Sequence, residues 1–485
     1  MNLNKEAKTE CCGKKSEGIK ITTIHASWVY AFTGDEPTVL TNHDVVLVND
    51  RIEEIVPCYK GHADLEIDAT GKVVIPGLIN LHTHASPAQH GTTVDLSVVS
   101  KAHQKHPEHP LDTVFLYSLF FPLRNLFGSK LSKEERAAFL KLGLMALIRG
   151  GATTVVEHCG LGADIFAEIA MEMGARVYVG KSYTSLQRMP ILYSGQILYE
   201  EEVKNPFFGL EQGIELHKRY HGAGQDRVRV MLTPHATETC SPEVLRATRE
   251  AADKLGCGVH IHLAQSKAEV ERIRKGYNQT PVEYLHELGI LGPDCLAAHC
   301  VYTDEKDWNL LSKTNTTQVH CATTFSKGGV SLPLKPFVEN GINVGLGTDS
   351  FHTDYIIELR TTALQGKLIE QSPWAATAGD VLAYATLNGA KALNRTDLGR
   401  ISPGAKADLL IVDLSGLHNA PVLEPLRNLV YLSSQADIDT VIIDGQVIVR
   451  GGHFKNIDEK EALKAAQPVF DKLWGLAEEE GLITR

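Results

Sequence analysis

The 485-residue sequence predicts an α/β protein made of a (β/α)8 TIM barrel and a small β-sandwich built from both chain ends. Three observations lead to this prediction. In the middle of the chain, an apolar strand, a polar turn and a helical stretch follow one another eight times. Short strands of alternating polarity occur near both ends. Histidines and an aspartate follow the apolar strands, at the edge where such a barrel carries its chemistry.

The β-sandwich is predicted from two separate segments of the chain. Residues 19–72 contain "IKITTIHASWVY" and "DVVLVNDRIEEIVP", which alternate as antiparallel strands do. Residues 395–455 contain "ADLLIVDLSG" and "DIDTVIIDGQVIVRGG", where Asp444-Gly445 favours a hairpin turn. The polar residues 1–18 are predicted to be a disordered tail, and residues 456–485 to form a C-terminal helix.

The barrel is predicted between these segments, over residues 73–394. Its strands are continuous apolar runs, which is typical of a parallel sheet covered on both faces. The eight runs are "VVIPGLINLHTHA", "ATTVVEHCG", "RVYVGKSYT", "RVRVMLTPHAT", "GVHIHLAQS", "LAAHCVYT", "TTQVHCATT" and "NVGLGTDSF". Helical stretches lie between them, for example "SPEVLRATREAADKLG", with Pro242 in its first turn and Gly256 at its end.

Composition limits the partners and the location of the protein. Forty-eight basic and 59 acidic residues give a net charge of −11, which disfavours nucleic acids and acidic membrane surfaces. No apolar run approaches the roughly 20 residues of a membrane span. The nine cysteines are odd in number and scattered, which indicates reduced thiols and a cytoplasmic location.

Metal-ligating residue types cluster at the ends of the predicted strands. In a barrel these ends meet at one mouth. Neutral imidazoles together with a carboxylate, with one position left for water, are what a divalent cation needs, and such a cation makes hydroxide available at neutral pH. The residues are His82, His84, Glu157, His158, His235, His260, His262, His299, His320 and Asp349.

The segments "PGLINLHTHA", "HIHLAQS", "LAAHC", "GLGTDS" and "ISPGAKADLLIVD" resemble the signature segments of the amidohydrolase superfamily, in its cytosine deaminase and triazine hydrolase branch. The resemblance implies that one divalent metal ion is bound, Zn²⁺ first, with Fe²⁺, Co²⁺ and Mn²⁺ open. No lysine follows the fourth strand, which favours a single metal. The implied ligands are His82, His84, His262 and Asp349.

The same resemblance implies roles around the metal. His299 matches the histidine that contacts the attacking water and the reacting atom of the substrate, and His235 matches a substrate-contacting histidine. Asp349 is expected to take the proton of the metal-bound water and to return it to the leaving group, while the metal and His299 stabilise the oxyanion. The relatives' habit of assembling implies a homodimer or a larger homo-oligomer.

Gln265 departs from the deaminase pattern, which has a glutamate three residues after the fifth-strand histidine. An amide orients a substrate by hydrogen bonding but does not exchange a proton near pH 7. The substitution therefore moves the expectation towards amides, ureas, carbamates or thiocarbamates, as in the phenylurea and thiocarbamate hydrolases that resemble this chain. Whether Glu157 or Glu238 replaces the missing acid stays open at this level.

The leading prediction is a mononuclear metal-dependent amidohydrolase that uses metal-bound hydroxide on a C–N (or C–S) bond of a small amide-, urea- or carbamate-like molecule. The first alternative is an aminohydrolase that deaminates a purine, pteridine, triazine or related amino-heterocycle. The second alternative is a metal-binding scaffold without enzyme activity. The complete set of ligands argues against this last reading.

Two stretches are candidates for the wall of the substrate pocket. Residues 86–130 contain the aromatic "FLYSLFFPLRNLF", which suits a helix packed on the barrel, a lid or pocket wall, or a subunit contact. His90 in this stretch is a candidate substrate contact. "SYTSLQRMPILYSGQ" after the third strand offers Tyr183, Gln187 and Arg188 for the same role.

Overall fold

The computed structural model describes residues 19–85, 109, 113–114, 116–160, 162–200, 203–350 and 352–483. The predicted tail, residues 1–18, and the candidate substrate contact His90 lie outside the described residues. The strands, numbered in chain order, are β1 Ile21–Thr33, β2 Glu36–Val48, β3 Arg51–Val56, β4 Leu65–Pro76, β5 Leu78–Thr83, β6 Ala152–Cys159, β7 Arg176–Tyr183, β8 Ile191–Tyr193, β9 Gln196–Leu198, β10 Val228–Val230, β11 Thr233–Pro234, β12 Val259–Leu263, β13 Cys295–His299, β14 Thr317–His320, β15 Val344–Leu346, β16 Leu409–Asp413, β17 Ile438–Ile443, β18 Gln446–Arg450 and β19 His453–Phe454.

The middle strands form a parallel barrel. One sheet runs in the order β10-β7-β6-β5, with β11 also on β7, and a second runs β12-β13-β14-β15. Parallel bridges Leu232↔Val259 and Thr83↔Asp349 join the two sheets at both seams. The predicted (β/α)8 barrel is therefore confirmed, and the carboxyl ends of its strands meet at one mouth.

Both chain ends contribute to one further sheet, in the order β19-β18-β17-β16-β4-β1-β2-β3. The predicted sandwich is thus a single sheet that curves around its own apolar core. The curvature brings Ile52, on the edge strand β3, close enough to donate its backbone N–H to Ala405 O, just before β16. Strand β4 stays in this sheet up to Pro76, where Leu409 pairs with it. The predicted first barrel strand is therefore split, and its barrel part begins at Leu78 rather than at residue 73.

Helices cover the outside of the barrel and follow the expected end signals. The helix Pro242–Leu255 begins after Ser241, whose side chain accepts from Val244 N, and it ends at Gly256 in the left-handed conformation. The α-helices of four residues or more are Phe121–Lys130, Lys133–Arg149, Ala163–Met173, Phe208–Tyr220, Ala223–Asp226, Pro242–Leu255, Lys267–Tyr277, Pro281–Glu287, Glu305–Lys313, Ala322–Lys327, Lys335–Glu339, Tyr355–Glu370, Ala378–Ala385, Leu387–Ala392, Pro425–Tyr431 and Glu459–Glu479. A π-helical turn, Leu116–Phe120, precedes them.

Within the described part of the chain, no helix combines the length and the apolar character that crossing a membrane requires.

A buried ion network joins the barrel to the end sheet. Arg176, at the start of β7, donates from Nε to Asp408 Oδ2 over 2.6 Å and from Nη2 to Asp444 Oδ1 over 2.9 Å. The Arg176 side chain is only 1% exposed and both carboxylates only 4%. Because Asp408 and Asp444 belong to the C-terminal part of the end sheet, this network fixes the two units against each other.

Candidate active site

Three imidazoles and a carboxylate converge at the mouth of the barrel. His82 and His84 lie at the end of β5, His262 in β12, and Asp349 three residues after β15. The Nε2 atoms of His82 and His84 each lie 3.6 Å from Asp349 Oδ1, and His262 Nε2 lies 3.3 Å from His84 Nε2. The structure thus brings together the four side chains for which the sequence predicts metal binding.

Hydrogen bonds on the far side of the rings fix which nitrogen faces this cluster. His84 Nδ1 donates to His158 O over 2.9 Å, and His262 Nδ1 donates to His235 O over 2.7 Å. A carbonyl only accepts, so Nδ1 carries the proton and Nε2 presents its lone pair. His82 Nδ1 is paired with His260 Nε2 at 2.8 Å, and its own Nε2 is buried without a hydrogen-bond partner among the described residues.

These side chains fit a divalent metal ion. The ligand atoms of His82, His84 and His262 lie within 4.8 Å of one another, as do those of His82, His299 and Asp349. Zinc bonds of about 2.0–2.1 Å in a tetrahedron place the ligand atoms about 3.4 Å apart, close to the separations found here. The orphaned Nε2 of His82 is explained if it bonds a cation.

Burial keeps the rings of the cluster in their neutral, ligating form. It lowers the pKa values of His82 and His262 well below the ordinary value, and neighbouring histidines lower them further. Burial lowers the pKa of His299 to about 4 and that of His260 to about 3. Neutral imidazoles accept a metal without first releasing a proton at neutral pH.

Backbone contacts between the first and last barrel strands fix Asp349. Its N–H donates to His82 O over 2.9 Å, and its carbonyl accepts from His84 N over 3.2 Å. Asp349 has a φ of +54°, an uncommon conformation for a residue with a side chain, and Ser350 Oγ donates to its Oδ1 over 2.9 Å. The strand seam therefore sets the carboxylate relative to the two β5 histidines.

A largely apolar cavity opens beside the cluster. Aromatic rings form much of its wall. It is lined by His84, Leu116, Phe120, Phe121, Arg124, His235, His262, Gln265, His299, Thr324, Phe325, Gly328, Val330 and Asp349. Three alternative roles are predicted for the segment "FLYSLFFPLRNLF". Its residues in the cavity lining favour the role of a pocket wall.

Gln265 lines this cavity next to the metal cluster, where the sequence places it. Its Nε2 is buried and has no hydrogen-bond partner among the described residues. The backbone around it is held by the buried Glu269, which accepts from Gln265 N over 2.8 Å and from Ala264 N over 3.1 Å. The amide is therefore a free donor at a fixed position.

Neither acid considered as a replacement at Gln265 lines the cavity. Glu157 is buried and accepts from Ala85 N over 2.7 Å, and burial raises its pKa to about 8. Glu238 accepts from the hydroxyls of Tyr117 and Tyr199, at 2.6–2.7 Å from Tyr117 and 2.6 Å from Tyr199. Both carboxyls are thus used by protein donors.

Of the candidate substrate contacts, His235 lies in the cavity wall but Tyr183 and Arg188 do not. Tyr183 faces the helices, with its hydroxyl 2.8 Å from Thr248 Oγ1, because alternate residues of β7 point to opposite faces. Arg188 is 70% exposed and pairs with Glu200 at 3.7 Å. These two assignments are corrected.

Sequence reasoning did not single out Arg124, although its segment was a candidate pocket wall, and it missed the wall residues after β14. These are Thr324, Phe325, Gly328 and Val330, of which Thr324 and Phe325 belong to the short helix Ala322–Lys327. The signal for Arg124 was its position as the single basic residue in "FLYSLFFPLRNLF". Phe325 carries no signal beyond its position after a barrel strand.

The sequence model of the amidohydrolase family matches residues 73–448. This match covers the barrel and most of the C-terminal part of the end sheet. The chain belongs to the amidohydrolase family. The four residues predicted to bind the metal, His82, His84, His262 and Asp349, lie inside the matched region.

Two similar proteins are named as deaminases of adenosine derivatives. A 5-methylthioadenosine/S-adenosylhomocysteine deaminase of Moorella thermoacetica is 34% identical over 429 residues, 86% of this chain and 92% of that protein. A 5'-deoxyadenosine deaminase of Methanothermobacter thermautotrophicus is 33% identical over 439 residues, 89% of this chain and 95% of that protein.

Solved structures agree with the fold. A zinc-bound adenosine deaminase of Xanthomonas campestris superposes with a TM-score of 0.79 at 24% identity, over 94% of this chain and 98% of that one. A glutamate-to-glutamine mutant of the atrazine chlorohydrolase of Arthrobacter aurescens, with zinc and atraton, gives 0.80 at 21% identity, over 93% and 100%.

This member of the amidohydrolase family is an enzyme, a metal-dependent hydrolase that acts on carbon–nitrogen bonds other than peptide bonds. Its cofactor is a divalent metal ion, which the histidine and aspartate cluster at the barrel mouth fits. The reading as a scaffold without activity is set aside by the family and its deaminase relatives.

Proposed function

We propose that this amidohydrolase deaminates an amino-heterocycle of the adenosine type and releases ammonia. Similarity to 5-methylthioadenosine/S-adenosylhomocysteine and 5'-deoxyadenosine deaminases over more than four-fifths of the chain carries the proposal. It supports the deaminase alternative more strongly than the leading expectation of an amide, urea or carbamate substrate.

The cavity suits a flat, partly apolar ring. Phe120, Phe121 and Phe325 line it, and His299 lies 5.0 Å from the ring of Phe325, centroid to centroid. Aromatic walls favour stacking with a heterocycle, and polar groups then fix its orientation. We propose that His235 and Gln265 are those polar groups, since both also line the cavity.

We propose that His82, His84, His262 and Asp349 hold one divalent cation. When bound, the cation lowers the pKa of a coordinated water to about 7 and polarises the reacting group. Asp349 accepts the proton of the attacking water and returns it to the leaving amine. His299 reaches the same cluster. It donates a hydrogen bond to the substrate atom that becomes negatively charged when the water attacks.

Gln265 has a defined part in this scheme. Its unpartnered Nε2–H2 donates to a ring nitrogen of the substrate and orients the ring. Because the amide exchanges no proton, Asp349 carries all proton transfers of the reaction. We therefore expect a slower deamination than a carboxyl group at this position would give.

The test is ammonia release by the zinc-loaded protein from adenosine, 5'-deoxyadenosine, 5'-methylthioadenosine and S-adenosylhomocysteine. Turnover of at least one with saturation kinetics, lost in Asp349→Asn, supports the proposal. If none releases ammonia while phenylureas or carbamates in the same panel are hydrolysed, the deaminase proposal is wrong.

Hydrolysis of a urea or carbamate remains the second candidate, and the amide at Gln265 favours it. A carbonyl substrate needs no ring protonation, since the metal and His299 polarise it directly. The product separates the candidates, because a substituted aniline or other amine is released from such substrates and ammonia from an amino-heterocycle.

We propose that the protein works as a homodimer or larger homo-oligomer in the cytoplasm. On the helix Tyr355–Glu370 and the turn after it, Leu364, Leu368 and Trp374 are exposed by 47%, 77% and 84%, and an apolar face of this kind suits a subunit contact. The free cysteines support a reducing compartment. Light scattering of the purified protein tests the assembly, and a monomeric mass would contradict it.

A further inference from the structure

Arg124 is a cation in the cavity wall to which the described residues bring no counter-charge. Its Nη2 donates to Ser182 Oγ over 2.6 Å, and no carboxylate of the described residues lies within ion-pair distance of its guanidinium. The side chain is half-buried, and it lines the cavity together with His84 and His235 of the metal end.

The guanidinium is held in place rather than free to reach solvent. A Cβ atom built on Gly160 would lie 3.5 Å from Arg124 Nε, so the guanidinium packs closely over the backbone that follows β6. On its other side, the guanidinium donates a hydrogen bond to the hydroxyl of Ser182 in β7. Among the described residues, one of the five N–H donors of Arg124 has a partner, which leaves the others for a molecule in the cavity.

Holding a cation in a partly apolar site without a partner is costly. Burial lowers the pKa of Arg124 to about 10, which still leaves it charged at neutral pH. An anion from outside the protein would offset this cost at Arg124.

We propose that Arg124 binds a carboxylate of the substrate, so that the preferred substrates are amino-heterocycles that carry an acidic group. This inference rests on the proposed deamination. A guanidinium recognises a carboxylate through two parallel N–H···O bonds, which a neutral amide or hydroxyl does not match. Arg124 is then a specificity-determining residue, and the chemistry stays with the metal cluster.

The test compares, on the zinc-loaded protein, adenosine analogues with and without a carboxylate. The pairs are adenosine 5'-carboxylate with adenosine 5'-carboxamide, and S-adenosylhomocysteine with 5'-methylthioadenosine. We expect higher kcat/KM and tighter binding for the acid of at least one pair. Arg124→Met should weaken the acid by about 10- to 100-fold, as for hydrogen bonds to charged groups. Its neutral partner should change little.

Two further variants separate recognition from folding. Arg124→Lys keeps the charge but loses the paired donors, so it should fall between wild type and Arg124→Met for the acid. Arg246→Met removes an exposed arginine from an outer helix, where it pairs with Glu287 at 3.9 Å, and should alter neither ligand. Unfolding midpoints of all variants are measured alongside.

The outcomes distinguish this inference from the proposed function. If the neutral compounds are deaminated and Arg124→Met affects acid and neutral ligands equally, the carboxylate inference is wrong while the deaminase stands. If no compound is deaminated, the proposed function is wrong, and calorimetric dissociation constants for the same pairs still decide the role of Arg124. Equal binding of each acid and its neutral partner overturns it in either case.

Discussion

His260 Nε2 lies 2.8 Å from His82 Nδ1, and both side chains are fully buried. His260 is two residues before His262 in β12, so one strand supplies both a proposed metal ligand and the partner that orients another proposed ligand, His82. A hydrogen bond behind a ligating imidazole fixes its ring and its proton.

His260→Ala should weaken zinc binding by about 10- to 100-fold, because His82 loses the partner that orients it. Competition with a chromogenic chelator measures the dissociation constant. His217→Ala, on the outer helix Phe208–Tyr220, is the matched control and should bind zinc as wild type does. Unchanged zinc affinity in His260→Ala would show that His82 is oriented without it.

Asp349→Asn should abolish turnover, because an amide of the same size accepts no proton from the attacking water. His82→Ala should also abolish turnover and, in addition, lower the zinc content after dialysis. Both variants are compared by steady-state kinetics and elemental analysis. Residual activity near the wild-type rate in either one contradicts the ligand set.

Gln265→Glu should raise kcat/KM for deamination by at least about tenfold, because a positioned acid typically contributes more than this to a rate. The variant should also gain an acidic limb in its pH–rate profile that wild type lacks. Ammonia release over a pH series measures both. A loss of activity would indicate that the amide makes a hydrogen bond that a carboxyl group cannot replace.

Glu269 should make stability fall as the pH rises. Burial raises its pKa to about 8, above the ordinary 4.5, so the folded protein holds a proton that the unfolded chain releases. Its stabilising contribution is complete below about pH 4.5 and is lost as the pH rises through about 8. The neutral variant Glu269→Gln lacks this pH dependence. Its free energy of unfolding, relative to that of wild type, should therefore increase as the pH rises from about 4.5 to about 8. A constant difference from denaturant titrations would refute the raised pKa.

Arg176→Met should reduce the free energy of unfolding by about 3–5 kcal/mol, because it leaves Asp408 and Asp444 buried with a lost partner. Lys141→Met is the matched control: it breaks an ion pair with Glu172 whose two side chains are 31% and 65% exposed, and should cost at most about 1 kcal/mol. Denaturant unfolding compares the two. Equal losses would mean that the network between barrel and end sheet contributes no more stability than an exposed ion pair.

The convergence of His82, His84, His262 and Asp349 was predictable from sequence because these residues lie at or just after strand ends, where position along the chain determines position in space. His82 lies at the end of β5 and His84 directly follows it. The carboxyl ends of all barrel strands lie at the mouth, so side chains there are expected to meet. Tyr183 was misplaced although it also ends a strand, because its parity in β7 turns it towards the helices, as its contact with Thr248 shows.

Other parts of the site depend on folding that no local pattern encodes. Arg124 reaches the cavity because the helix Phe121–Lys130 lies across the barrel mouth, and the sequence of that helix suits a packed surface equally well. The shape of the end sheet was likewise not predictable from local sequence patterns. Alternating strands at both ends predicted a β-unit, but its single curved sheet depends on contacts such as Ile52 with Ala405, 353 positions apart by residue number.

The pairing of β4 with β16 has a consequence for synthesis of the protein. During translation the barrel strands emerge long before Leu409–Asp413, so one side of β4 waits without hydrogen-bond partners. An open strand edge on a nascent chain is a template for wrong pairing with other polypeptides. Emergence of Leu409–Asp413, rather than closure of the barrel, therefore ends the period in which this edge of β4 is open to wrong pairing.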